Sequence, residues 1–548
     1  MILSSASTIE RNHASGVWGR VALDALFRKT AKKHPDRIAL VDEPNRATWT
    51  SGAARSLTYQ EADQEISRLA GLFKALGLAP DSVIGLQLPN TTDAAVIILA
   101  ALRAGLIVSP IPLVWRGREI ADALSTVGAK AVITTDRLEG AAAADWMRDA
   151  AVEVFGLRYV LGLGDDLPDG LISLSTVLAE VGDEIPPADI VRGEKAADHL
   201  ATLTWTVGAS GRPLPVPRTH NHWVAAGLAT MLESRIGDGA RILLPYSMTG
   251  LAGLGCGLVP WLLAAGTLHL HHPENLSGMT RHATSVEADL VVVPGQLAAS
   301  TAKRLTSPTT LAAVWQSGME RQGEPVSGHT VVDVTLIQEF AAIAQRREGA
   351  SYVQTLPLGL SQGAGGISVA ELKLDTPDGG ASRGSGAASL LVRGAMVPEC
   401  GWPGAPREDW PDAADGFLRT RLIGLGEAHC ITHIDVNPFL GNSGLVGGVS
   451  LDLAALDALY REYEEIEDAA AFLTEDPVLG TRLYAALVRK SARPFDRTGF
   501  ENYLADRKIG LQGRPAGFVE VDMIPRSDNG FVNRKALEVQ LHEVRTAI

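Results

Sequence analysis

The chain has 548 residues, of which 46% are hydrophobic and 20% are charged, and its formal net charge at pH 7 is −14. This composition is typical of a folded globular protein, and the length is too great for a single hydrophobic core, so we expect two or more domains. Acidic and basic residues are interspersed without a basic stripe, which argues against nucleic acid as a partner.

Neither the cysteines nor the apolar segments indicate export or a membrane. Only Cys256, Cys400 and Cys430 are present, and an odd, scattered set favours a reducing compartment over a disulfide framework. Residues 1–20 lack the apolar stretch of a secretory signal. Residues 248–270 are apolar enough to mimic a membrane span, but their glycines suit a buried turn between a helix and a strand better. We therefore expect a cytoplasmic protein.

The first part of the chain alternates helical and strand-like patterns. Residues 59–76 carry apolar side chains at every third and fourth position, as in an amphipathic helix, and residues 83–88 form an apolar run typical of a buried strand. The same two patterns follow at 94–104 and 107–111, and strand-like runs recur as far as residue 334. This order predicts an α/β fold with parallel-rich sheets covered by helices.

The pattern changes twice towards the C-terminus. From residue 368, short strands are separated by Gly, Asp and Pro turns, which predicts a β-rich subdomain. Beyond residue 435, helical and strand-like runs alternate at 453–464, 482–488, 495–505 and 518–521. This length suits a small α+β domain. We therefore predict a large N-terminal domain over 1–434 and a small, mobile C-terminal domain over 435–548.

The segment after the predicted strand at 203–207 has the most informative pattern. From Thr206 onward it reads T-V-G-A-S-G-R-P-L-P-V-P-R-T-H-N. Gly208 and Gly211 have the spacing of a loop that cradles phosphate, because glycine lets the backbone bend sharply and approach an anion closely. The lysine that such a loop normally carries is absent.

This loop resembles the T-S-G-T-T-G-x-P-K-G loop of the adenylate-forming enzymes, the AMP-dependent synthetase and ligase superfamily that includes the acyl-CoA synthetases. Further segments match that family's motifs, in the family's order, along nearly the whole chain. They lie at residues 88–92, 104–110, 244–250, 315–320, 358–362, 391–397, 415–420 and 524–530. The resemblance implies a large domain of parallel-rich sheets with a β-rich subdomain, followed by a smaller α+β C-terminal domain.

The resemblance also assigns roles to individual residues. It implies that cofactor-binding positions fall on Thr206, Gly208, Ser210, Gly211, Gly318, Gly359, Ser361 and Gln362. It places the substrate pocket at Met248, Gly250 and Ala252, and the hinge between the domains at Asp435. The family uses ATP, magnesium and CoA, so the resemblance implies an acyl or aryl acid, or a CoA thioester, as the ligand.

The charged positions of the family carry uncharged residues in this chain. The loop lysine, the magnesium-binding glutamate, the ribose-binding aspartate, the arginine before the hinge and the catalytic lysine fall on Leu214, Gln362, Leu422, Ile434 and Phe531. Adenylyl transfer depends mainly on electrostatic stabilisation of developing negative charge. A hydrogen bond to a charged group contributes about 1.5–3 kcal/mol, and each loss of about 1.4 kcal/mol costs tenfold. We therefore expect little affinity for ATP or magnesium, and an apolar cleft where these five positions converge.

Two further features have competing explanations. Ser210 and Ser361 keep hydroxyl groups at family threonine positions, but serine also caps turns and helices, which is the explanation we favour. His269, His271 and His272 invite a metal-site interpretation, yet no acidic residue or cysteine stands beside them in sequence. We predict solvated histidines at a strand end, and no metal site.

Two functions remain open at this point. The one we favour is a degenerate family member that binds an acyl or aryl ligand, a CoA-type thioester, or an active synthetase or carrier-protein partner, with little or no conventional adenylation. Its basis is selective loss, because the glycines, prolines and apolar pattern persist while the charges that face ATP do not. The alternative is an active acyl- or aryl-CoA ligase that forms an acyl-adenylate from a carboxylic acid and ATP.

Overall fold

The structure is a computed structural model. It describes most of the chain. The described residues are 1–181, 192–208, 212–316, 325–347, 355–362, 368–375, 388–427, 429–436, 443–446, 449–476, 480–490, 495–507, 509–526 and 532–546.

The N-terminal part alternates helices and short strands, as the apolar periodicity predicts. Its elements are α1 (Ala6–Ala14), α2 (Leu23–Lys33), β1 (Ile38–Val41), β2 (Ser56–Thr58), α3 (Tyr59–Ala75), β3 (Val83–Gln87), α4 (Thr92–Arg103), β4 (Ile107–Pro110), α5 (Gly117–Val127), β5 (Ala131–Thr135), β6 (Arg137–Leu138), β7 (Ala141–Ala142), α6 (Ala143–Ala151), β8 (Tyr159–Leu163), β9 (Ile172–Ser173) and α7 (Leu174–Val181). Thr58 caps the N-terminus of helix α3. Its side chain accepts a hydrogen bond from Glu61 N, and the Glu61 carboxylate accepts one from Thr58 N.

The central part continues the alternation and contains one unusual helical segment. Its elements are β10 (Leu200–Val207), β11 (Pro213–Thr219), α8 (His220–Ser234), β12 (Arg241–Leu244), a π-helix (Leu251–Leu258), α9 (Val259–Ala264), β13 (Thr267–Leu270), α10 (Leu276–Ser285), β14 (Leu290–Pro294), α11 (Ala298–Ala302), β15 (Thr310–Gln316), β16 (Thr330–Ile337) and β17 (Ala341–Arg346). The apolar segment 248–270 is thus a turn, two short helical pieces and a strand. Within the described residues, no helix is both long and apolar enough to span a membrane.

The last part of the chain is richer in strands. Its elements are β18 (Leu356–Pro357), β19 (Gly359–Gln362), β20 (Ser368–Asp375), β21 (Ala388–Arg393), β22 (Ala413–Ala414), β23 (Phe417–Glu427), β24 (Cys430–Val436), β25 (Ser443–Val446), β26 (Val449–Asp452), α12 (Leu453–Arg461), β27 (Ile466–Asp476), β28 (Gly480–Arg489), α13 (Arg497–Asp506), β29 (Gly517–Glu520) and α14 (Arg534–Thr546). The predicted domain boundary at 434/435 falls inside β24, so that boundary stays a prediction.

Three sheets build most of the molecule. The first has the order β17-β16-β15-β14-β12-β13-β1-β2 and is parallel except at its two edge strands. The second has the order β11-β10-β4-β3-β5-β8-β9 and is parallel except for the β10–β11 hairpin. The third, ordered β18-β24-β23-β21-β20-β19, is antiparallel. This architecture confirms the predicted fold class: parallel-rich sheets with helices, a β-rich subdomain and a C-terminal α+β unit.

Helix α4 shows how the two large sheets share one core. Nearly every residue of this helix is buried, and it packs against α2 and α3 within the largest hydrophobic cluster. Its last residue, Arg103, lies in the interior but is paired with Asp24 at 2.8 Å and Asp63 at 2.7 Å. A buried charge is tolerated only when it is paired in this way. The C-terminal helices and strands have separate hydrophobic clusters of their own.

Candidate functional site

The glycine-containing segment joins β10 and β11 in a tight hairpin. Thr206 stands opposite Leu214 in the antiparallel register, and Gly208 N donates to Arg212 O at 2.8 Å. Because the two strands pair up to the turn, Leu214 is fixed beside the loop and is 1% exposed. Two predicted cofactor-binding residues, Ser210 and Gly211, lie outside the described residues.

Gly208 is enclosed by two charged side chains from the third sheet and the segment before it. A β-carbon at Gly208 would lie 2.8 Å from Cβ and Cγ of Asp409, so a larger residue would clash there. On the other side, Arg421 Nη1 donates to the carbonyl oxygen of Gly208. Burial lowers the pKa of Arg421, and the charges of Asp409 and Asp452 oppose that shift. The backbone that should approach an anion is therefore in contact with the protein's own side chains.

Two of the uncharged family positions lie on neighbouring strands close to this contact. Leu422 follows Arg421 on β23 and is 1% exposed, and Ile434 on β24 is 4% exposed. Both side chains belong to the large hydrophobic cluster, which is incompatible with a solvated charge at either position. Strand β23 therefore contacts the end of β10 through the hydrogen bond from Arg421 to Gly208 O. Phe531, the predicted catalytic-lysine position, lies outside the described residues.

The structure does not bring Gln362 into this group. It ends β19, which is separated from β23 by two strands, so the two backbones are roughly 14 Å apart at about 4.8 Å per strand. Gly359, with a φ of +83°, and Ser361 lie on the same outer strand. Gly318 lies outside the described residues. These positions stay predictions.

Glu339 is an acidic residue beside the predicted substrate pocket, and no motif in the sequence indicates it. It follows β16, a parallel strand of the first sheet, at the carboxyl end where ligands commonly bind in α/β folds. Its carboxylate accepts from Leu251 N at 3.1–3.2 Å, and the neighbouring Gln338 Oε1 accepts from Arg421 N at 3.1 Å. Burial raises the pKa of Glu339 to about 7, opposed by the charge of Arg218 and the Leu251 amide. The side chain is only partly exposed.

The residues of the predicted substrate pocket lie at the start of the π-helix and just before it, beside Glu339. Met248 is 4% exposed, whereas Gly250 and Ala252 are partly exposed. A β-carbon at Gly250 would lie 2.6 Å from Glu339 Oε1, so only glycine lets the carboxylate reach Leu251 N. The pocket segment and the carboxylate thus fix each other. π-Helical segments of this kind are frequent at functional sites.

The prediction of solvated histidines at residues 269–272 is wrong. His269, His271 and His272 are all buried, because α10 covers the end of β13 and brings His282 Nδ1 to 3.2 Å from His271 Nδ1. Glu43 lies 3.1 Å from His271. In the part of the chain that the structure describes, no group of three or more His, Cys, Asp or Glu residues could hold a metal ion. We interpret His271, His272, His282 and Glu43 as a buried polar network against which the ring of His269 packs edge-on to His282.

Comparison with known proteins supports the resemblance that the motifs indicated. A model described as "AMP-binding enzyme" matches residues 27–298. The chain is 24% identical to the salicyl-AMP ligase / salicyl-S-ArCP synthetase of Mycobacterium tuberculosis over 538 residues, covering 96% of this chain and 92% of that one. It belongs to the adenylate-forming superfamily. Another member, triostin synthetase I of Streptomyces triostinicus, is 25% identical and covers 95% of each chain.

Solved structures of the superfamily share the fold. The apo structure of Mycobacterium smegmatis MbtA has a TM-score of 0.64, with 20% identity and 98% coverage of both chains. The amide bond synthetase McbA from Marinactinospora thermotolerans has a TM-score of 0.70, with 17% identity and coverage of 94% of this chain and 99% of that one. At these identities the likeness shows the fold and does not establish the reaction.

Magnesium–ATP, which the superfamily uses, fits the described residues poorly. Magnesium is usually held by one or two carboxylates together with substrate phosphates, and Glu339 offers one such group. The phosphates would also need a cation, but Leu214 occupies the lysine position and Arg421 is bonded to Gly208 O. A phosphate would in addition meet the carboxylate of Asp409 beside the Gly208 α-carbon. The described residues therefore support no reaction step on Mg–ATP.

Proposed function

We propose that this chain is a degenerate adenylate-forming protein that binds rather than activates. Its ligand is an acyl or aryl group or a CoA-type thioester, and its partner is an active synthetase or a carrier protein. The observation that supports this most strongly is the loop, where Leu214 is buried and Arg421 is bonded to the Gly208 carbonyl. Both features remove the loop's capacity to receive a triphosphate.

The energetic argument concerns the catalysed step. Adenylyl transfer needs groups that stabilise negative charge as it develops on the phosphate and the acyl carboxylate. Groups that act as a unit are strongly non-additive, so a site with several such groups missing falls close to the uncatalysed rate. The burial of Leu422 and Ile434 in the large hydrophobic cluster supports this proposal, because neither position has room for a solvated charge.

The ligand class follows from the pocket segment and from the relatives. Met248, Gly250 and Ala252 present small or apolar groups next to Glu339. Relatives are named for salicylate, for medium-chain fatty acids and for indoleacetate, and one solved relative is a fused adenylation–carrier di-domain. Aryl and acyl acids, their CoA thioesters and a carrier protein are therefore the probes of choice.

We further propose a cytoplasmic location, which agrees with three cysteines that form no disulfide with one another.

One observation favours the alternative of an active acyl- or aryl-CoA ligase. Glu339 places a carboxylate against the predicted pocket segment, and the neighbouring Gln338 is bonded to Arg421, so an acidic residue is present near the proposed site. An active enzyme would need this carboxylate ionised, although the raised pKa leaves it partly protonated at neutral pH.

Pyrophosphate release separates the two functions. The protein, at a concentration near that of the substrate, is incubated with Mg–ATP, CoA and a panel of aryl and fatty acids, with a salicyl-AMP ligase as the positive control. We expect no release above a heat-treated sample. Release that Glu339→Gln abolishes, while the folded state is retained, would establish the alternative instead.

A further inference from the structure

The carboxylate of Glu339 has a capacity for charge and hydrogen bonds that its described neighbours do not use. We propose that Glu339 is a specificity-determining residue that selects acyl or aryl ligands carrying a cationic amino group, by receiving that ammonium beside Gly250. This inference rests on the proposed function, because it names the chemical class of the ligand that the predicted substrate pocket binds.

The hydrogen bonds of the carboxylate account for only part of what it accepts. An ionised carboxylate offers about four lone-pair sites. Both oxygens of Glu339 share a single backbone donor, Leu251 N, with Oε1 at 3.2 Å and Oε2 at 3.1 Å. The Thr204 hydroxyl also favours the charged form of this carboxylate. Acceptor sites therefore remain for a ligand.

Within the described part of the chain, no cation forms an ion pair with this carboxylate. The charge of Arg218 acts on Glu339, but its guanidinium donates to main-chain oxygens. Nη2 donates to Glu339 O, and Nη1 donates to Met396 O at 2.7 Å. A desolvated carboxylate is stabilised mainly by a hydrogen-bonded cation. A ligand with a cationic group would supply the partner that these residues lack.

The carboxylate lies in a recess that solvent enters. Glu339, Gly250 and Ala252 are each partly exposed, as are Tyr246 and Thr249 on the same segment. The surroundings of Glu339 are nevertheless dense enough that burial raises its pKa to about 7. A group that is desolvated and still reachable lies in a concave part of the surface, where small ligands bind.

The lining of this recess indicates the rest of the ligand. Met248, Gly250 and Ala252 carry no polar side chain, which suits an aliphatic or aromatic body. An anionic group is disfavoured beside Glu339, because like charges repel strongly where water is scarce. A cation there gains a charge-assisted hydrogen bond, which is about twice as strong as a neutral one. An ammonium on an acyl or aryl body meets both conditions.

The turn that carries Glu339 is held in place by the protein itself. Arg218, which is 0% exposed, binds the Glu339 carbonyl oxygen. The next residue, Phe340, donates from its backbone to Ile337 O at 3.1 Å and packs edge-on against Trp410, with ring centroids 5.7 Å apart. A carboxylate fixed in this way is preorganised, so little ordering entropy is lost when a ligand binds.

The test compares isosteric pairs of ligands by calorimetry on the full-length wild type. In each pair a methyl group replaces the ammonium: ε-aminocaproate with heptanoate, and meta-(aminomethyl)benzoate with meta-ethylbenzoate. We expect the amino member of at least one pair to bind about tenfold or more tightly than its alkyl partner. Equal or tighter binding of the alkyl members, or no binding of either amino member, would overturn the inference.

Glu339→Gln assigns the preference to this carboxylate, because the amide oxygen still accepts from Leu251 N but carries no charge. Glu371→Gln is the matched control, since Glu371 is also half-buried but is paired with Arg393 at 2.7 Å. The preference for the amino member should disappear in Glu339→Gln and persist in Glu371→Gln. A preference that survives in a folded Glu339→Gln protein contradicts the role of Glu339.

Hydrogen exchange on the wild type keeps the test decisive if Glu339→Gln does not fold. The amino member of a pair should protect the amides of residues 249–252 and 337–341 more than its alkyl partner does, and protection confined to other segments would overturn the inference. The proposed function is judged separately. Magnesium-dependent ATP binding contradicts the proposed function whichever ligand is preferred, whereas tighter binding of the alkyl members contradicts only the role of Glu339.

Discussion

The carboxylate of Glu339 lies directly against the α-carbon of Gly250, and a β-carbon added there would stand 2.6 Å from Glu339 Oε1. This contact joins the end of a parallel strand to the first turn of a π-helix, because Glu339 also accepts from Leu251 N. The predicted substrate pocket is therefore bounded by a glycine and a carboxylate that are far apart in sequence.

Gly250→Ala should push the carboxylate away from Leu251 N. Because the lost hydrogen bond leaves a buried amide unpaired and the pocket segment must shift, we expect a loss of about 1–3 kcal/mol in the free energy of unfolding. Urea unfolding checks this. Gly237→Ala is the matched control, because nothing lies within 4 Å of the β-carbon added there. Equal stability of the two variants would show that Glu339 does not constrain Gly250.

Glu339→Gln should change how stability depends on pH. The pKa of Glu339 is raised in the folded protein to about 7 from an ordinary value of 4.5, so the folded state binds more protons between these values. The contribution of this group to stability is present below pH 4.5 and is lost as the pH rises through 7. The difference between variant and wild type should thus grow over this window, by at most about 3 kcal/mol. Urea unfolding at several pH values would show a constant difference if the carboxylate titrates normally.

The buried histidines should make the protein sensitive to acid. Burial lowers the pKa of His269 and His282 to about 4 from 6.5, so the unfolded chain binds more protons between these values. Stability therefore rises from pH 4 to 6.5 and is lost as the pH falls through that range. His269→Gln should flatten this slope. His433→Gln, at an exposed position, is the control. An identical pH slope for His269→Gln and the wild type would exclude a buried neutral His269.

Leu214→Lys, which restores the family residue alone, should destabilise the protein without giving activity. An ammonium group at a position that is 1% exposed would be buried without a partner, which costs about 3–5 kcal/mol. Leu214→Met conserves volume and should cost less than about 1.5 kcal/mol. Thermal unfolding of both variants and their pyrophosphate release test this. A stable lysine variant would mean that the position is accessible to solvent or to a ligand.

Much of the fold was predictable because local patterns determine it. The continuous apolar runs at 83–88 and 107–111 became parallel strands β3 and β4, and the amphipathic run at 59–76 became α3. The strand predicted at 203–207 became part of β10. These elements are set by residues that are close in sequence, so the spacing of apolar residues is enough to predict them.

The parts that were missed depend on contacts between distant segments. Glu339 gives no local signal, and it becomes part of the site only because β16 ends beside the turn that follows β12. Gln362 matches a motif in sequence and lies on the outer strand of an antiparallel sheet, so its role stays a prediction. His269 and His271 alternate as on a solvated strand, yet His282 of α10 packs against both, and His272 stacks on Trp49. Arg421 also gives no local signal, because its contact is with Gly208, which is distant in sequence.

Calorimetry of the wild-type protein with ATP, with and without magnesium, tests the central claim most directly. The claim is that a loop closed by Leu214 and Arg421 no longer receives the triphosphate. We predict no heat of binding with either titrant, while an aryl or acyl ligand or its CoA thioester still binds. Micromolar, magnesium-dependent binding of ATP would contradict the account.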